Sequence, residues 1–332
     1  MVETGLHATT TPGERPTRAG VGFVPVPACW ICGHTAFRPM DRAPLNFAHY
    51  ATQDPELAAY TGVSVRIMQC KGCGFGQPEK LPALPNYFDR AYDIRWSNET
   101  LEQEFGSAYK DLIFNLILDE LERRLGRGRR SILDVGAHAG RFIHLASRRG
   151  MAAEGIELNP QSSAYAERAT GLPVHRLNAH DLAVRGNRYD AVTMTDVLEH
   201  IPEPVRLLEK LHTLLLPGGW IAVKVPHGRA QWVKERLVRR LIHRRGTDFG
   251  GIADNLVHVN QFGAKSLRLA LTRAGFTEIA IEVGAPEVQV LGTWRDTMAN
   301  LPRVGVWRAA QFIPGSTRTP LALNLQAFAR RG

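Results

Sequence analysis

Cysteine is scarce in this 332-residue chain: there are four, far too few to staple a scaffold of this length with disulfides. Lysine is also scarce, with seven against 34 arginines, although the two together outnumber the acidic residues 41 to 32. The net charge of +9 permits nucleic-acid or phosphorylated partners without establishing them, and a GC-rich genome accounts for the arginine bias as well as a binding surface does. No stretch approaches the roughly 18 consecutive apolar residues of a membrane span. The first residues lack the basic segment and apolar core of a secretory signal, so a cytoplasmic protein with no membrane partner is expected. At 44% apolar and 22% charged, the composition is that of a folded protein, and the length suggests two domains or one with an appendage.

Residues 1–27 carry Thr, Pro, Gly and Arg without periodicity and read as a flexible tail. A cysteine-bearing module follows over 28–82. The stretch 83–128 reads as a helical linker, because Leu101, Phe105, Ala108, Leu112, Leu116 and Leu121 recur near helical period before a stop at Gly126. From 129 the pattern alternates: "SILDVG", "AAEGIEL", "PVHRL", "YDAVTMT" and "WIAVKV" read as strands, with helical segments between several of them. That rhythm predicts an α/β domain over 129–332 built on a parallel sheet.

Cys29-x-x-Cys32 and Cys70-x-x-Cys73 are each followed by glycine, as "CWICG" and "CKGCG". Two such turns present four thiolates to one tetrahedral cation, so a structural zinc is expected on these residues. A redox pair is a weaker reading, since one pair would suffice for that chemistry. His34 and His49 are alternative ligands only if a cysteine is displaced.

"LDVGAHAGRF" ends a strand on Asp134 and opens a helix after Gly136 and Gly140. Glycines there let a ligand approach the backbone at a helix N-terminus. Glu157 ends the next strand, where a carboxylate accepts both hydroxyls of a ribose. Asp134 would repel a pyrophosphate and suits a ligand that carries a cationic amino acid.

Taken in order, "LDVGAHAG", "GIELNP", "NAHDL", "YDAVTMTDVLEHIPEP" and "LLLPGGWIAVKVP" resemble the motifs of class I S-adenosylmethionine-dependent methyltransferases, over about 131–285. The resemblance implies a doubly wound, mostly parallel, Rossmann-like seven-stranded sheet. It implies a cofactor site in which Asp134, Gly136, His138 and Gly140 line the methionine end. Glu157 would take the ribose, Leu158 would pack on the adenine, and Ala179, His180 and Asp181 would edge it. Thr195, Asp196 and Val197 would lie beside the sulfonium. His138 stands where many relatives have glycine and should narrow the loop.

The cysteine module resembles that of bacterial deoxysugar C-methyltransferases. Their Tyr-His-Glu-His-type motif is matched in "NLVHV" only by His258, with Asn255, Leu256 and Val257 in the other places. This departure removes the groups that would deprotonate a carbon acid and favours transfer to a hydroxyl oxygen. The expected reaction is O-methylation of a sugar or natural-product hydroxyl, the acceptor being a small molecule with an anionic or glycosylated form among the candidates. Deoxysugar C-methylation and a zinc-module RNA methyltransferase are the alternatives; a nucleic-acid partner is not expected.

His258, His227 and His200 are the candidate bases, because all three follow segments that end at the ligand edge of the sheet. His258 ranks first, and His200 belongs to a turn that supports the loop. Residues 227–262 read as a lid carrying the basic stretch "RAQWVKERLVRRLIHRRG", and 286–318 read as an insertion before the last strand.

Overall fold

The computed structural model describes residues 21–93, 98–126, 128–178, 189–242, 254–288 and 294–332. The N-terminal portion holds β1 (Phe23–Pro25), β2 (Phe37–Pro44), the short α1 (Pro55–Ala58), β3 (Ser64–Cys70), β4 (Gly76–Pro78) and β5 (Lys80–Pro82). β2, β3 and β4 form one antiparallel sheet, and β1 pairs with β5 in another. The tail expected over 1–27 therefore gives way to structure at its end. Phe23 packs edge-on against Tyr60, and the Lys80 ammonium lies over its ring. Two aromatic contacts and a strand pairing hold a segment whose sequence carries no periodic signal.

Leu45, Phe47, Leu57, Tyr60, Val65 and Ile67 form a small core in this portion. Other residues of the same portion, Cys29, Ile31, Cys70, Cys73 and Phe75, are buried with the main core instead. Phe75 stacks at a tilt on Phe262, and Gly76 and Gln261 exchange both backbone hydrogen bonds.

Helices α2 (Tyr87–Asp93), α3 (Asn98–Ser107) and α4 (Asp111–Leu125) follow. α4 buries Ile113, Phe114, Ile117, Leu118 and Leu121 on one stripe, has Asp111 in its first turn and Arg123 and Arg124 in its last, and ends at Gly126 with φ 76°. The helical period over 101–125 is interrupted at 108–110, where Ala108 takes φ 52°. The break was not legible because no glycine or proline occupies 108–110; tertiary packing overrides propensity there.

The main domain runs β6 (Ser131–Val135), α5 (Arg141–Arg148), β7 (Ala152–Glu157), α6 (Pro160–Thr170), β8 (Val174–Arg176), β9 (Tyr189–Thr195), α7 (Pro204–Leu214), β10 (Leu215–Pro226), α8 (Gly228–Ile242), α9 (Ala264–Arg273), β11 (Phe276–Gly284), α10 (Trp294–Phe312) and β12 (Asn324–Arg331). The strand order across the sheet is β8-β7-β6-β9-β10-β12-β11. Only β12 runs against its neighbours. This is the expected mostly parallel, doubly wound seven-stranded sheet. β6 to β8 step one way from the centre and β9 to β10 the other, so the order reverses between β6 and β9. The carboxyl ends of adjacent strands diverge at such a point and leave a crevice.

Candidate active site

A cavity of about 720 Å³ occupies that crevice. Its floor is the ends of β6, β7 and β9, and its roof is built by Leu84, by Tyr87 and Phe88 at the start of α2 and by the 108–110 break.

Glu157 is buried at the end of β7. One carboxylate oxygen accepts the backbone N–H of His138 and the other that of Asn159, both at 2.9 Å. Two amides thus hold the carboxylate in a fixed orientation on the cavity lining. Asn159 also caps α6, its side chain accepting from the amides of Gln161 and Ser162, so the helix start and the carboxylate are set together.

Asp134 is buried at the end of β6 and accepts the Thr193 hydroxyl at 2.6 Å. Burial raises its pKa to about 7, and the nearby Glu157 charge adds to the rise. Gly136 turns the chain at φ 79°, where a Cβ would lie 2.3 Å from the Val197 side chain. Gly140 has another task. It caps α5 at φ 84°, its missing Cβ leaves room for Thr170 and Ala166 of α6, and it is not among the cavity-lining residues. His138, at φ 48°, lines the cavity with its Nδ1 3.2 Å from the Glu104 carboxylate. Burial lowers its pKa to about 4, Lys110 adding to the effect, so the ring is neutral. Leu158, Thr195 and Val197 also line the cavity. Ala179, His180 and Asp181 lie outside the described residues.

Asp196 turns at φ 58° between two lysines, Lys224 at 2.5 Å and Lys110 at 3.0 Å. Both cations hold its carboxyl well below the usual range against the cost of burial. Sequence reasoning missed both lysines, along with Tyr109 and Glu104 on the cavity wall. The available signal was weak: Lys110 is one of only seven lysines and falls inside an apparent helix.

Beyond Asp196, the turn Leu198–His200 meets the segment 254–260. Asn260 donates its side-chain amide to the carbonyls of Leu198 and Ile201 and its backbone N–H to that of Glu199. The His200 ring donates Nδ1–H to the Val257 carbonyl at 2.5 Å. His200 and His258 both line the cavity, with ring centroids 4.7 Å apart. His227 is placed elsewhere. It is buried directly after β10 with Nδ1 2.9 Å from the Ala322 carbonyl, outside the cavity lining, and burial lowers its pKa. The structure thus joins two of the three candidate histidines and separates the third.

The four cysteine sulfurs lie within 4.8 Å of one another, with Cys29–Cys73 at 3.6 Å and Cys32–Cys70 at 3.5 Å. Four thiolates at the usual 2.3 Å around zinc sit about 3.8 Å apart, so the cluster fits that ion.

The sequence matches the family model described as "Methyltransferase domain" over residues 109–281, more than half the chain. The chain belongs to this family. The methyltransferase domain is of the class I kind, with S-adenosylmethionine as the ligand its site fits. It is 34% identical over 112 residues to the ubiquinone biosynthesis O-methyltransferase of Chromobacterium violaceum, covering 32% of this chain and 48% of that protein. The match to the enzyme of the same name from Paraburkholderia xenovorans is 32% over 98 residues, or 28% and 42%. The chain thus spans about half the length of the curated relatives it matches. Among solved structures, an S-adenosylmethionine-dependent methyltransferase from Mesorhizobium loti is 19% identical with a TM-score of 0.46, over 68% of this chain and all of that one.

Proposed function

We propose that this protein transfers the methyl group of S-adenosylmethionine to a hydroxyl oxygen of a small-molecule acceptor, a natural product or sugar. The observation that carries the reading is the Glu157 carboxylate, fixed by two backbone amides at the end of β7 on the lining of the cavity, where it can accept the hydroxyls of a ribose. Asp134 supplies the anion for the ligand's ammonium, and Gly136 admits it to the backbone. Bound there, S-adenosylmethionine supplies an electrophilic methyl group. The chain's own residues hold it against the acceptor, and that proximity supplies most of the rate.

The acceptor end lies beyond Val197, where His200 and His258 meet an apolar wall of Tyr87, Ile201, Pro202 and Leu256. His258 is the residue that orients the acceptor hydroxyl or takes its proton. Similarity to relatives named O-methyltransferases supports oxygen as the acceptor atom, as does the absence of a Tyr-His-Glu-His-type motif at 255–258. A structural zinc on Cys29, Cys32, Cys70 and Cys73 belongs to the same reading, and all four tetrahedral positions are then filled by protein.

Calorimetry with S-adenosylhomocysteine tests the cofactor assignment. Glu157→Ala should weaken binding by about 2–4 kcal/mol, the usual loss when a charged hydrogen-bond acceptor is removed. Unchanged affinity would remove Glu157 from the site.

A further inference from the structure

We propose that Glu199, His200 and His258 form a divalent-cation site at the acceptor end of the cavity, and that the acceptor hydroxyl completes its coordination. This deepens the methyl-transfer reading and rests on it for its role.

The three side chains each offer one ligand atom, and these atoms lie within 4.8 Å of one another, the Glu199 oxygen 4.0 Å from His200 Nε2. Ligands at 2.0–2.2 Å from one ion sit about 3–4 Å apart, so binding requires a contraction on the order of 1 Å. Glu199 is 1% exposed, and neither of its carboxylate oxygens has a hydrogen-bond partner among the described residues. A buried carboxylate with no donor needs a proton or a cation. The neighbouring lysines do not serve it: Lys110 and Lys224 are both engaged by Asp196, one turn earlier.

His200 is arranged as a ligand rather than as a base. Donation of Nδ1–H to Val257 fixes the tautomer and puts the Nε2 lone pair on the Glu199 side. A histidine bound to metal is held this way, with its other nitrogen given to a carbonyl. Asn260 ties the turn bearing Glu199 and His200 to the segment bearing His258 by three hydrogen bonds, so the set is braced before any ion arrives.

Two imidazoles and one carboxylate suit Mn²⁺, Fe²⁺, Co²⁺ or Zn²⁺ better than an all-oxygen cation, and they leave positions open towards the cavity. A hydroxyl bound there loses its proton to solvent more readily. Its oxygen then forms the bond to the methyl carbon as the S–C bond breaks and its electron pair returns to sulfur, leaving a neutral thioether. No electrons are exchanged with the ion.

The test uses the full chain with its cysteine cluster loaded, and Mn²⁺ as the probe, because Mn²⁺ binds thiolates poorly. Electron paramagnetic resonance should show one saturable Mn²⁺ per chain. Glu199→Gln and His258→Ala should each weaken it at least tenfold while S-adenosylhomocysteine affinity stays within about threefold. If Glu199→Gln fails to fold, His258→Ala decides, since that ring sits at the edge of the 254–260 segment. Absence of saturable Mn²⁺, or equal affinity in both variants, overturns the site. One Mn²⁺ bound as expected, with S-adenosylhomocysteine not bound at all, supports the site and overturns the methyl-transfer reading instead.

Discussion

Asp134 has an acid constant that belongs to its surroundings rather than to its type. Buried beside Glu157, it titrates near 7, about three units above an exposed aspartate. The folded protein without cofactor therefore binds a proton that the unfolded chain releases, and its stability falls as pH rises from about 4 to 7. A ligand ammonium reverses this by favouring the carboxylate. S-adenosylhomocysteine binding at pH 6 should then release protons and strengthen towards pH 8. Calorimetry at pH 6 in buffers of different ionisation enthalpy measures the release, and Asp134→Asn should abolish it. At the other face, Lys224 is 2% exposed and paired with Asp196. Breaking a buried pair from one side costs about 3–5 kcal/mol, so Lys224→Met should lower the urea midpoint far more than a surface lysine substitution does. His258→Ala should cost on the order of 10²–10⁴ in turnover, whether the ring acts on the hydroxyl or through an ion, with cofactor affinity kept.

The elements divide the glycines of "GAHAG" between two jobs. Gly136 makes room for the ligand and for Val197, whereas Gly140 lets α5 pack on α6. Gly136→Ala places a Cβ 2.3 Å from Val197 in a left-handed conformation, so it should disturb the cavity and reduce S-adenosylhomocysteine affinity at least tenfold. Gly140→Ala meets Thr170 and Ala166 instead and should lower the melting temperature first. Comparing the affinity and melting shifts of the two variants checks the division. The break between α3 and α4 is also an event at this scale. Had residues 101–125 continued as one helix, Tyr109 and Lys110 would not both reach the cavity wall.

Across the whole molecule, the cysteine module is continuous with the site. Its last strand leads directly to Leu84, Tyr87 and Phe88 on the cavity roof, and Gly76 bridges Gln261 near His258. Removal of the zinc proposed for the cluster should therefore reduce both thermal stability and cofactor affinity, although no cysteine lines the cavity. Cys32→Ser/Cys70→Ser should reproduce the loss in differential scanning fluorimetry and in S-adenosylhomocysteine titration. Full retention of both properties would separate the module from the site.

Local pattern decided the alternating elements, the sheet they imply, the four-cysteine cluster and the strand ends that carry Asp134 and Glu157. Each depends on spacing along one or two adjacent segments, which the chain displays directly. Which histidines meet was a tertiary matter. His200, His227 and His258 all follow strands or loops at one edge, yet the register of β10 against β12 buries His227 under Ala322, and Asn260 draws His258 to His200. The pairing of Lys110 and Lys224 around Asp196 was equally hidden, since 114 residues separate the lysines and only the packing of the start of α4 beside the sheet brings them to one carboxylate. Burial is the physical reason: the energies of Glu199, Asp134 and Asp196 are set by what surrounds them once water is gone, and no linear pattern records that.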